Sequence, residues 1–374
     1  MILISLELTD FRNYDNLSIE FGDKKNFLIG NNAQGKTNIL EAIYLLCLSR
    51  SFRTNYEKDA IRFSAPHYTI KGIFKLNTGN VHTIIFHCSQ EKGKQITINR
   101  KRLSRASELI GNFPVVLSSP DEYVLTVGPP PGRRKFVDIL LSQIYKKYFS
   151  YLQDYHRIVQ QRNTILSNWK ISGVKSASII DPWDQRLVEI GSKIIEYRNQ
   201  FTVSFSDILK NIYSGLVIKR EELTLSYRPN IFSNNTDAIQ TFFLDRLKQT
   251  RQKEIQRGTS LTGPHRDDFV FNINGQELRK FGSRGQHKTV LLSLAIAQFD
   301  LIKEKTQEVP VILIDDLYSE IDSEREVKII ESLNKMGQVF ITTTQSHNKM
   351  NIKSNSDSYY LIEDGKINSL MVTH

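Results

Sequence analysis

The stretch from residue 30 to residue 37 has the composition and spacing of a phosphate-binding loop. It reads Gly-Asn-Asn-Ala-Gln-Gly-Lys-Thr, follows a short apolar segment at 26–29 and precedes a helical pattern that begins near Ile39. Glycines let a backbone approach phosphates closely, and N–H groups at a helix N-terminus attract them. Lys36 is placed to bridge β- and γ-phosphates, and the Thr37 hydroxyl to bind Mg²⁺. The predicted nucleotide-binding residues are Gly30, Asn31, Asn32, Ala33, Gln34, Gly35, Lys36, Thr37 and Asn38.

A second set of candidate residues follows the apolar run from Pro310 to Ile314. A buried parallel strand that ends in two carboxylates brings the first, Asp315, close to a nucleotide-bound Mg²⁺. The second, Asp316, can orient the water that attacks the γ-phosphate. Acidic residues after a strand are common, so this motif gains its meaning from the phosphate loop upstream. Together the two motifs predict a nucleoside triphosphatase with Lys36 and Asp316 as catalytic residues.

A third motif, at 281–286, lies between these two and just before a helical pattern. Ser283 and the helix N-terminus can form a second phosphate site, and Gly285 allows a ligand to approach it closely. A tight turn that caps a helix would explain the serine and the glycine, but not the order and spacing of the three motifs. The motif resembles the signature of the ABC ATPases, a family in which each ATP is sandwiched between two chains. The resemblance implies that four residues act on the ATP of a partner chain: Ser283, Arg284, Gly285 and Gln286. It also implies that Ser319 and Asp322 form the D-loop at the dimer seam.

Periodic apolar residues place these motifs in an α/β framework. Alternation at 2–8 and 17–21 predicts two strands, and the segment at 26–29 a third that leads into the phosphate loop. Later strands are expected at 269–273, 309–314 and 338–342, helices at 287–303 and 324–334, and a closing hairpin at 359–370.

Two segments depart from this alternation of strands and helices. Residues 68–100 alternate as an antiparallel meander, and residues 134–256 are mostly helical with a hairpin-like interruption at 216–227. The predicted fold is therefore α/β: an ABC-type P-loop ATPase head, with a mixed sheet, helices and an antiparallel β-subdomain, and an inserted, mostly helical arm. The expected divisions are 1–127 for the N-terminal part of the head, 128–258 for the arm and 259–374 for the C-terminal part of the head.

The composition restricts the classes of protein to be considered. With 374 residues, 40% of them apolar, the chain is expected to pack as about two domains. A formal net charge of +10 favours polyanionic partners such as nucleic acid. Glu7 and Asp10 argue against a signal peptide, and the longest apolar run, 290–299, is too short to cross a membrane. We expect a cytoplasmic protein without a membrane partner, in which Cys47 and Cys88 are buried core residues.

Sequence segments at and around these motifs resemble a more specific family within the ABC ATPases. Nearly the whole chain, most weakly at 150–230, resembles the RecF family of bacterial recombination-mediator ATPases. The resemblance implies ATP-dependent homodimerisation on duplex DNA and on gapped or single-stranded junctions, with slow ATP hydrolysis. It implies joint action with RecO and RecR in loading RecA at single-stranded gaps, in DNA repair, replication and the SOS response. The segments that carry it are LELTDFRNY, GNNAQGKTNILEAIYLL, LSRSFRT, SSPDEYVLTVGPPPGRRKFVD, TGPHRDD, FGSRGQHKT and LIDDLYSEID.

Three positions depart from the common ABC pattern. Asp316 stands where most ABC ATPases have glutamate. Because its shorter side chain holds water less well, we expect slow hydrolysis. The resemblance implies a weak, DNA-dependent ATPase that serves as a switch. Thr343 or Thr344 falls at the place of the switch histidine, with His347 as a nearby candidate. Residues 119–121 fall near the place of the Q-loop glutamine and contain no glutamine.

Basic residues gather in three stretches that are candidates for DNA contacts. A solvated protein surface is an equal alternative for each stretch. Phosphate contacts there would give salt-dependent affinity with little readout of base sequence. Arg12 and Arg53, beside the N-terminal strand and the phosphate-loop helix, are candidate nucleotide contacts instead. The three stretches contain Lys92, Lys94, Arg100, Lys101, Arg102 and Arg105; Arg133, Arg134 and Lys135; and Arg246, Lys248, Arg251, Lys253 and Arg257.

Other classes of P-loop protein fit less well. The ATPase subunit of a transporter is disfavoured by the missing switch histidine and Q-loop glutamine and by the basic surface. A structural DNA tether of the SMC type would insert a long heptad coiled coil between Gly30 and Ser283, where no sustained heptads occur. A simple P-loop kinase or GTPase would leave the signature and the D-loop unexplained.

Overall fold

The computed structural model describes residues 1–173, 176–217, 221–232, 238–316, 333–344 and 357–372. The D-loop candidates Ser319 and Asp322, His347, and most of the helix expected at 324–334 lie outside these ranges. Two compact units are present: Met1–Glu122 with Leu291–His374, and Tyr123–Val290. In the part of the chain that is described, no helix is both long enough and apolar enough to cross a membrane.

Strands and helices are numbered in chain order over the described residues. The strands are β1 Ile2–Phe11, β2 Tyr14–Glu20, β3 Lys25–Ile29, β4 His67–Lys75, β5 Val81–Ser89, β6 Gly93–Ile98, β7 Lys101–Arg102, β8 Val115–Ser118, β9 Leu223–Arg228, β10 Asp268–Ile273, β11 Gln276–Glu277, β12 Val311–Ile314, β13 Val339–Thr343, β14 Ser358–Glu363 and β15 Lys366–Val372. The helices are α1 Lys36–Leu48, α2 Val124–Val127, α3 Pro130–Ile144, α4 Lys146–Ser172, α5 Ala177–Leu216, α6 Ile239–Arg257, α7 Leu278–Phe281 and α8 Arg284–Thr306.

The first unit contains a six-stranded sheet in the order β15–β14–β3–β13–β12–β8. The strands from β14 to β8 run parallel, and β15 pairs antiparallel with β14 at the edge. Strands β3, β12 and β13 are buried along their whole lengths, as parallel strands covered on both faces must be. Their carboxyl ends lie side by side, so the residues that follow them meet at one edge of the sheet.

A second six-stranded sheet of this unit is antiparallel, with the order β2–β1–β4–β5–β6–β7. It contains the meander expected at 68–100, because β4, β5 and β6 pair in sequence. Helix α1 contacts β4 and β5 of this sheet as well as β8 and β13 of the parallel sheet. Almost every residue of α1 is therefore buried, which fixes the helix that follows the phosphate loop.

The second unit is mostly helical. Helices α3 to α6 pack on one another, and α5 alone is 40 residues long. A three-stranded sheet in the order β11–β10–β9 packs against α3 and α5.

The segment at 216–227 is not the hairpin that its pattern suggested. Its strand β9 pairs antiparallel with β10, so that Leu223 lies opposite Ile273 and Arg228 opposite Asp268. Because this pairing ties β10 to the helical unit, that unit ends at Val290, whereas we expected the arm to end at residue 258. It also begins at Tyr123, before the expected residue 128.

Buried arginines connect the helices of the second unit. Arg162 of α4 donates to Asp184 of α5 and to Glu254 of α6, each at 2.6 Å, and all three side chains are buried. Arg198 of α5 donates to Asp267 at 2.8 Å. Removing one member of such a pair leaves an uncompensated buried charge, so we expect the loss of either partner to destabilise this unit. The TGPHRDD segment, which includes Asp267, thus makes internal contacts of this unit.

Candidate nucleotide-binding site

The loop between β3 and α1 adopts a conformation that requires its glycines. A Cβ atom on Gly30 would lie 2.3 Å from the carbonyl oxygen of Ile362 on β14. Gly35 has a φ of 110°, which L side chains rarely adopt, and a Cβ atom there would lie 2.7 Å from the Tyr14 hydroxyl oxygen. The chain therefore turns from the carboxyl end of β3 directly into the first turn of α1.

The turn between β1 and β2 holds the phosphate loop. Asn13 Nδ2 donates to the carbonyl of Gln34 at 3.0 Å, and the Tyr14 hydroxyl donates to the carbonyl of Gly35 at 3.1 Å. Asn38 Nδ2 in turn donates to Asn13 Oδ1 at 2.7 Å. Burial raises the pKa of Tyr14, so its hydroxyl stays protonated and remains a donor. Sequence reasoning missed these two supporting residues, although both belong to the LELTDFRNY segment.

Lys36, the first residue of α1, holds its ammonium against the loop backbone. Its Nζ donates to the carbonyls of Gly30 at 2.8 Å and Asn31 at 2.7 Å, and the side chain is buried. Burial lowers the pKa of Lys36, while the nearby carboxylates of Asp315 and Asp316 oppose that shift. The Lys36 nitrogen thus lies at the loop, where it can stabilise the negative charge of a polyphosphate.

Thr37 and Asp315 meet although they belong to different motifs. The Thr37 hydroxyl donates to the Asp315 carboxylate, 3.0 Å from Oδ1 and 3.1 Å from Oδ2. The Thr342 hydroxyl, on β13, donates to the same Oδ1 at 2.6 Å and accepts the backbone N–H of Asp316 at 2.8 Å. A hydroxyl beside a carboxylate fits Mg²⁺, which takes such oxygens together with phosphate and water oxygens. Thr342 was not anticipated from the sequence.

One cavity of about 440 Å³ collects these groups in the first unit, a volume typical of small-ligand sites. Asp316 lines it with an exposed side chain. Thr344 and Pro120 also line it, from the places of the switch histidine and the Q-loop, whereas Thr343 is buried. The phosphate loop and α1 contribute Asn32, Ala33, Gly35, Lys36, Thr37 and Asn38.

The two arginines proposed as nucleotide contacts behave differently. Arg12 forms a two-pronged pair with the buried Glu41 of α1, at 2.9 and 2.6 Å, and donates to the Asp59 carbonyl at 2.9 Å. It therefore acts as a brace between the β1–β2 turn and α1. Arg53 lines the cavity and donates to Asn38 Oδ1 at 2.5 Å. Of the two, only Arg53 stands at the cavity.

The signature residues begin α8 in the second unit. Ser283 Oγ accepts the N–H of Gln286 at 3.2 Å, and Gln286 Oε1 accepts the N–H of Ser283 at 2.8 Å. This reciprocal pair is a capping box, and it starts the helix at Arg284, earlier than the expected His287. Ser283 and Arg284 are exposed, while Gly285 is half-buried. Helix capping remains compatible with phosphate binding, because a hydroxyl that accepts one bond still carries a hydrogen to donate.

The basic stretches separate into surface residues and internal residues. Lys101, Arg102 and Arg105 are exposed along and after β7, and Lys135 is exposed on α3. By contrast, Arg133 of the second stretch is buried and makes internal contacts. Its buried guanidinium donates to both oxygens of Asp268, at 2.8 and 3.0 Å. Two more candidates make internal bonds: Arg134 donates to the Asp267 carbonyl at 2.7 Å, and Arg251 to Asp181 and Asp184 at 2.7 and 2.5 Å.

Comparison with known proteins identifies the family. Residues 2–367 match the family model described as the RecF/RecN/SMC N terminal domain. The chain is 36% identical to the DNA replication and repair protein RecF of Ruminiclostridium cellulolyticum, over 99% of this chain and 100% of that one. The chain belongs to the RecF family. It is also 38% identical to RecF of Streptococcus suis, over 98% of this chain and 99% of that one.

Solved structures agree with the RecF assignment. A structure of the recombination mediator protein RecF with ATP has a TM-score of 0.91 and 30% identity, covering 99% of this chain and 97% of that one. An Smc head domain from Pyrococcus furiosus has a TM-score of 0.54 over 98% of this chain and 96% of that one. Because that head is only 17% identical, its likeness shows the fold alone. The expected ABC-type ATPase fold and the resemblance to RecF are confirmed.

Proposed function

We propose that this chain is an ATP-dependent DNA-binding protein of recombinational repair and replication-fork maintenance. The observation that carries the proposal is the pairing of Thr37 with Asp315, beside Lys36, in one cavity at the carboxyl edge of the parallel sheet. Thr37 and Asp315 would hold Mg²⁺, and Lys36 and the loop N–H groups would bind the phosphates of ATP. A RecF protein of the same fold, solved with ATP, supports this reading.

Hydrolysis by this site is expected to be slow. Asp316 is exposed at the cavity, and the bond from its N–H to Thr342 fixes its backbone next to Asp315. We expect its carboxylate to orient the attacking water, with a shorter reach than the glutamate of most ABC ATPases. Slow turnover suits a nucleotide that acts as a switch.

Dimerisation completes the site in this proposal. Ser283 and Arg284 are exposed at the N-terminus of α8, a position that favours a phosphate. In the ABC arrangement these residues, with Gly285 and Gln286, contact the ATP bound by a partner chain, and Ser319 and Asp322 lie at the seam. ATP would then join two copies of the chain on DNA.

The proposal also includes binding to DNA and joint action with two protein partners. The exposed Lys101, Arg102 and Arg105 are the DNA contacts that we favour, because they lie on one stretch of the antiparallel sheet and the segment after it. Contacts of this kind would neutralise phosphates on duplex or gapped DNA. The solved relative belongs to the RecFOR pathway, which supports RecO and RecR as partners in loading RecA at single-stranded gaps.

Sedimentation of the wild type and of Ser283→Arg, with ATP and Mg²⁺ and with or without a gapped duplex, tests the proposal. We expect the wild type to dimerise only with ATP, and more strongly on DNA. The variant should bind ATP and remain monomeric, because its bulky side chain occupies the space of the partner's phosphate. A wild type that stays monomeric with ATP on DNA, or a variant that dimerises equally well, would refute the composite site.

A further inference from the structure

The capping box of α8 depends on the direction in which the Gln286 amide points. Gln286 Oε1 accepts the N–H of Ser283 at 2.8 Å, so Nε2 points the other way. There it donates to Oε1 of Glu221 at 3.1 Å, across 65 positions of the chain. Glu221 comes shortly before β9 and is half-buried. The signature thus has an internal contact outside its own helix.

Glu221 is itself held by the long helix α5. Tyr213, in the last turn of α5, has a buried ring, and its hydroxyl donates to Oε2 of Glu221 at 2.6 Å. The two oxygens of one carboxylate therefore accept bonds from two different parts of the unit. These three residues, which we term the Tyr213–Glu221–Gln286 relay, connect the end of α5 to the first turn of α8.

We propose that Glu221 is a positioning residue for the signature. A carboxylate can only accept, so it attracts the amide NH₂ of Gln286 and repels the amide oxygen. With the amide rotated by half a turn, its oxygen would face the carboxylate and its NH₂ would face the Ser283 N–H. Both bonds would be lost, and with them one half of the capping box.

The consequence concerns the Ser283 hydroxyl. While the capping box holds the Ser283 backbone in place, Ser283 Oγ accepts the Gln286 N–H, so its own hydrogen remains available to donate to a ligand. Glu221 thereby keeps the signature ready to donate to a phosphate oxygen. This inference rests on the proposed function in one respect: the phosphate that Ser283 would contact belongs to the ATP of a partner chain.

Glu221→Lys is the variant that tests the relay. An ammonium only donates, so it draws the amide oxygen of Gln286 toward itself and away from Ser283. Glu222→Lys is the matched control, because it makes the same change of charge one residue away, where the carboxylate pairs with Lys210 on the surface. Tyr213→Phe is a second variant, which removes the hydroxyl donor and keeps the buried ring.

Two measurements on the full chain report the result. Without nucleotide, we expect hydrogen exchange at the Ser283 amide to become about tenfold faster in Glu221→Lys, because its hydrogen bond to Gln286 Oε1 is lost. With ATP and Mg²⁺, we expect dimerisation to weaken by about tenfold, from the same cause. Tyr213→Phe should change both in the same direction by less, and Glu222→Lys should change neither. Binding of a fluorescent ATP analogue to the monomer should stay at the wild-type level.

A double variant gives the reverse test. In Glu221→Lys with Gln286→Glu, the new carboxylate accepts from both the new ammonium and the Ser283 N–H, so slow exchange should return. Unchanged exchange in Glu221→Lys, or equal acceleration in Glu222→Lys, would overturn the inference even if the wild type dimerises. If the wild type does not dimerise with ATP, the proposed dimer fails, and exchange still decides whether Glu221 positions Ser283.

Discussion

The hydroxyl of Thr37 donates a hydrogen bond to the carboxylate of Asp315, 3.0 Å away, across 278 positions of the chain. Thr37 lies in α1 after β3, and Asp315 directly follows β12, two strands away in the parallel sheet. The contact therefore exists only when β3, β13 and β12 are assembled in that order. It joins the two halves of the candidate nucleotide site.

Asp315→Asn should separate binding of the nucleotide from use of Mg²⁺. The amide can still accept from Thr37, but the negative charge that would hold the metal is gone. We expect ATP hydrolysis to fall by about 100-fold or more, while binding of a fluorescent ATP analogue without Mg²⁺ changes little. Phosphate release and analogue titration measure the two quantities. Asp300→Asn, at an exposed position on α8, is the control, and wild-type hydrolysis by Asp315→Asn would exclude the assigned role.

Gly30→Ala should damage the phosphate loop sterically. Its Cβ atom would lie 2.3 Å from the backbone oxygen of Ile362, so either the loop or β14 must shift. We expect a lower melting temperature, measured by calorimetry, and weaker ATP binding, measured by titration with a fluorescent ATP analogue. Gly215→Ala on α5 is the control, because a Cβ atom there meets nothing within 4 Å. That change should be neutral or stabilise the chain by up to about 1 kcal/mol, and equal losses in both variants would contradict the steric argument.

Asp316→Glu should raise the rate of hydrolysis. The additional methylene extends the carboxylate further into the cavity, where it can hold the attacking water more firmly. Single-turnover hydrolysis with saturating ATP is the measurement, and Asp316→Asn should be slower than the wild type because it has no carboxylate. If glutamate slows the reaction as much as asparagine does, reach does not limit turnover at this position.

Arginine and lysine variants should separate DNA contacts from internal contacts. Lys101→Ala and Arg102→Ala should each reduce the salt dependence of DNA binding by about one unit of log–log slope. Arg133→Ala should leave that slope unchanged and instead lower the free energy of unfolding by about 2–4 kcal/mol, because Asp268 loses its partner. Binding titrations at several salt concentrations and denaturant unfolding measure the two effects. If Arg133→Ala reduced the slope of the salt dependence, Arg133 would be a DNA contact and its assignment as an internal contact would be wrong.

His265 should make the second unit sensitive to mild acid. Its Nδ1 lies 2.7 Å from the Tyr155 hydroxyl, and burial lowers the pKa of His265 to about 4 from its ordinary 6.5. Between those values the unfolded chain binds a proton that the folded chain does not. The stabilising contribution is therefore present above pH 6.5 and is lost as the pH falls toward 4, by about 2 kcal/mol for a partly exposed group.

Denaturant unfolding at pH 7 and pH 4.5 tests this expectation. The wild type should lose more stability on acidification than His265→Gln, whose side chain does not titrate. Equal losses in the two proteins would show that other groups account for the acid sensitivity.

The sequence by itself determined the parts of this protein that depend on neighbouring residues. The loop ending in Lys36 and Thr37, the buried strand before Asp315 and the alternation in the meander are local patterns, because glycine freedom, helix capping and apolar periodicity act over a few residues. These patterns, with the segments that resemble RecF, were enough to place the chain in its family and fold, as the comparisons confirm.

Only the tertiary structure decided which distant residues meet. The pairing of β9 with β10 and the hydrogen bond between Arg133 and Asp268 each join segments that lie far apart in the sequence. Thr342 beside Asp315 and Glu221 beside Gln286 carry no local sequence signal either. The physical reason is the same in each case: a hydrogen bond or ion pair depends on distance in space, and two residues far apart in sequence come close only once the sheets and helices have packed.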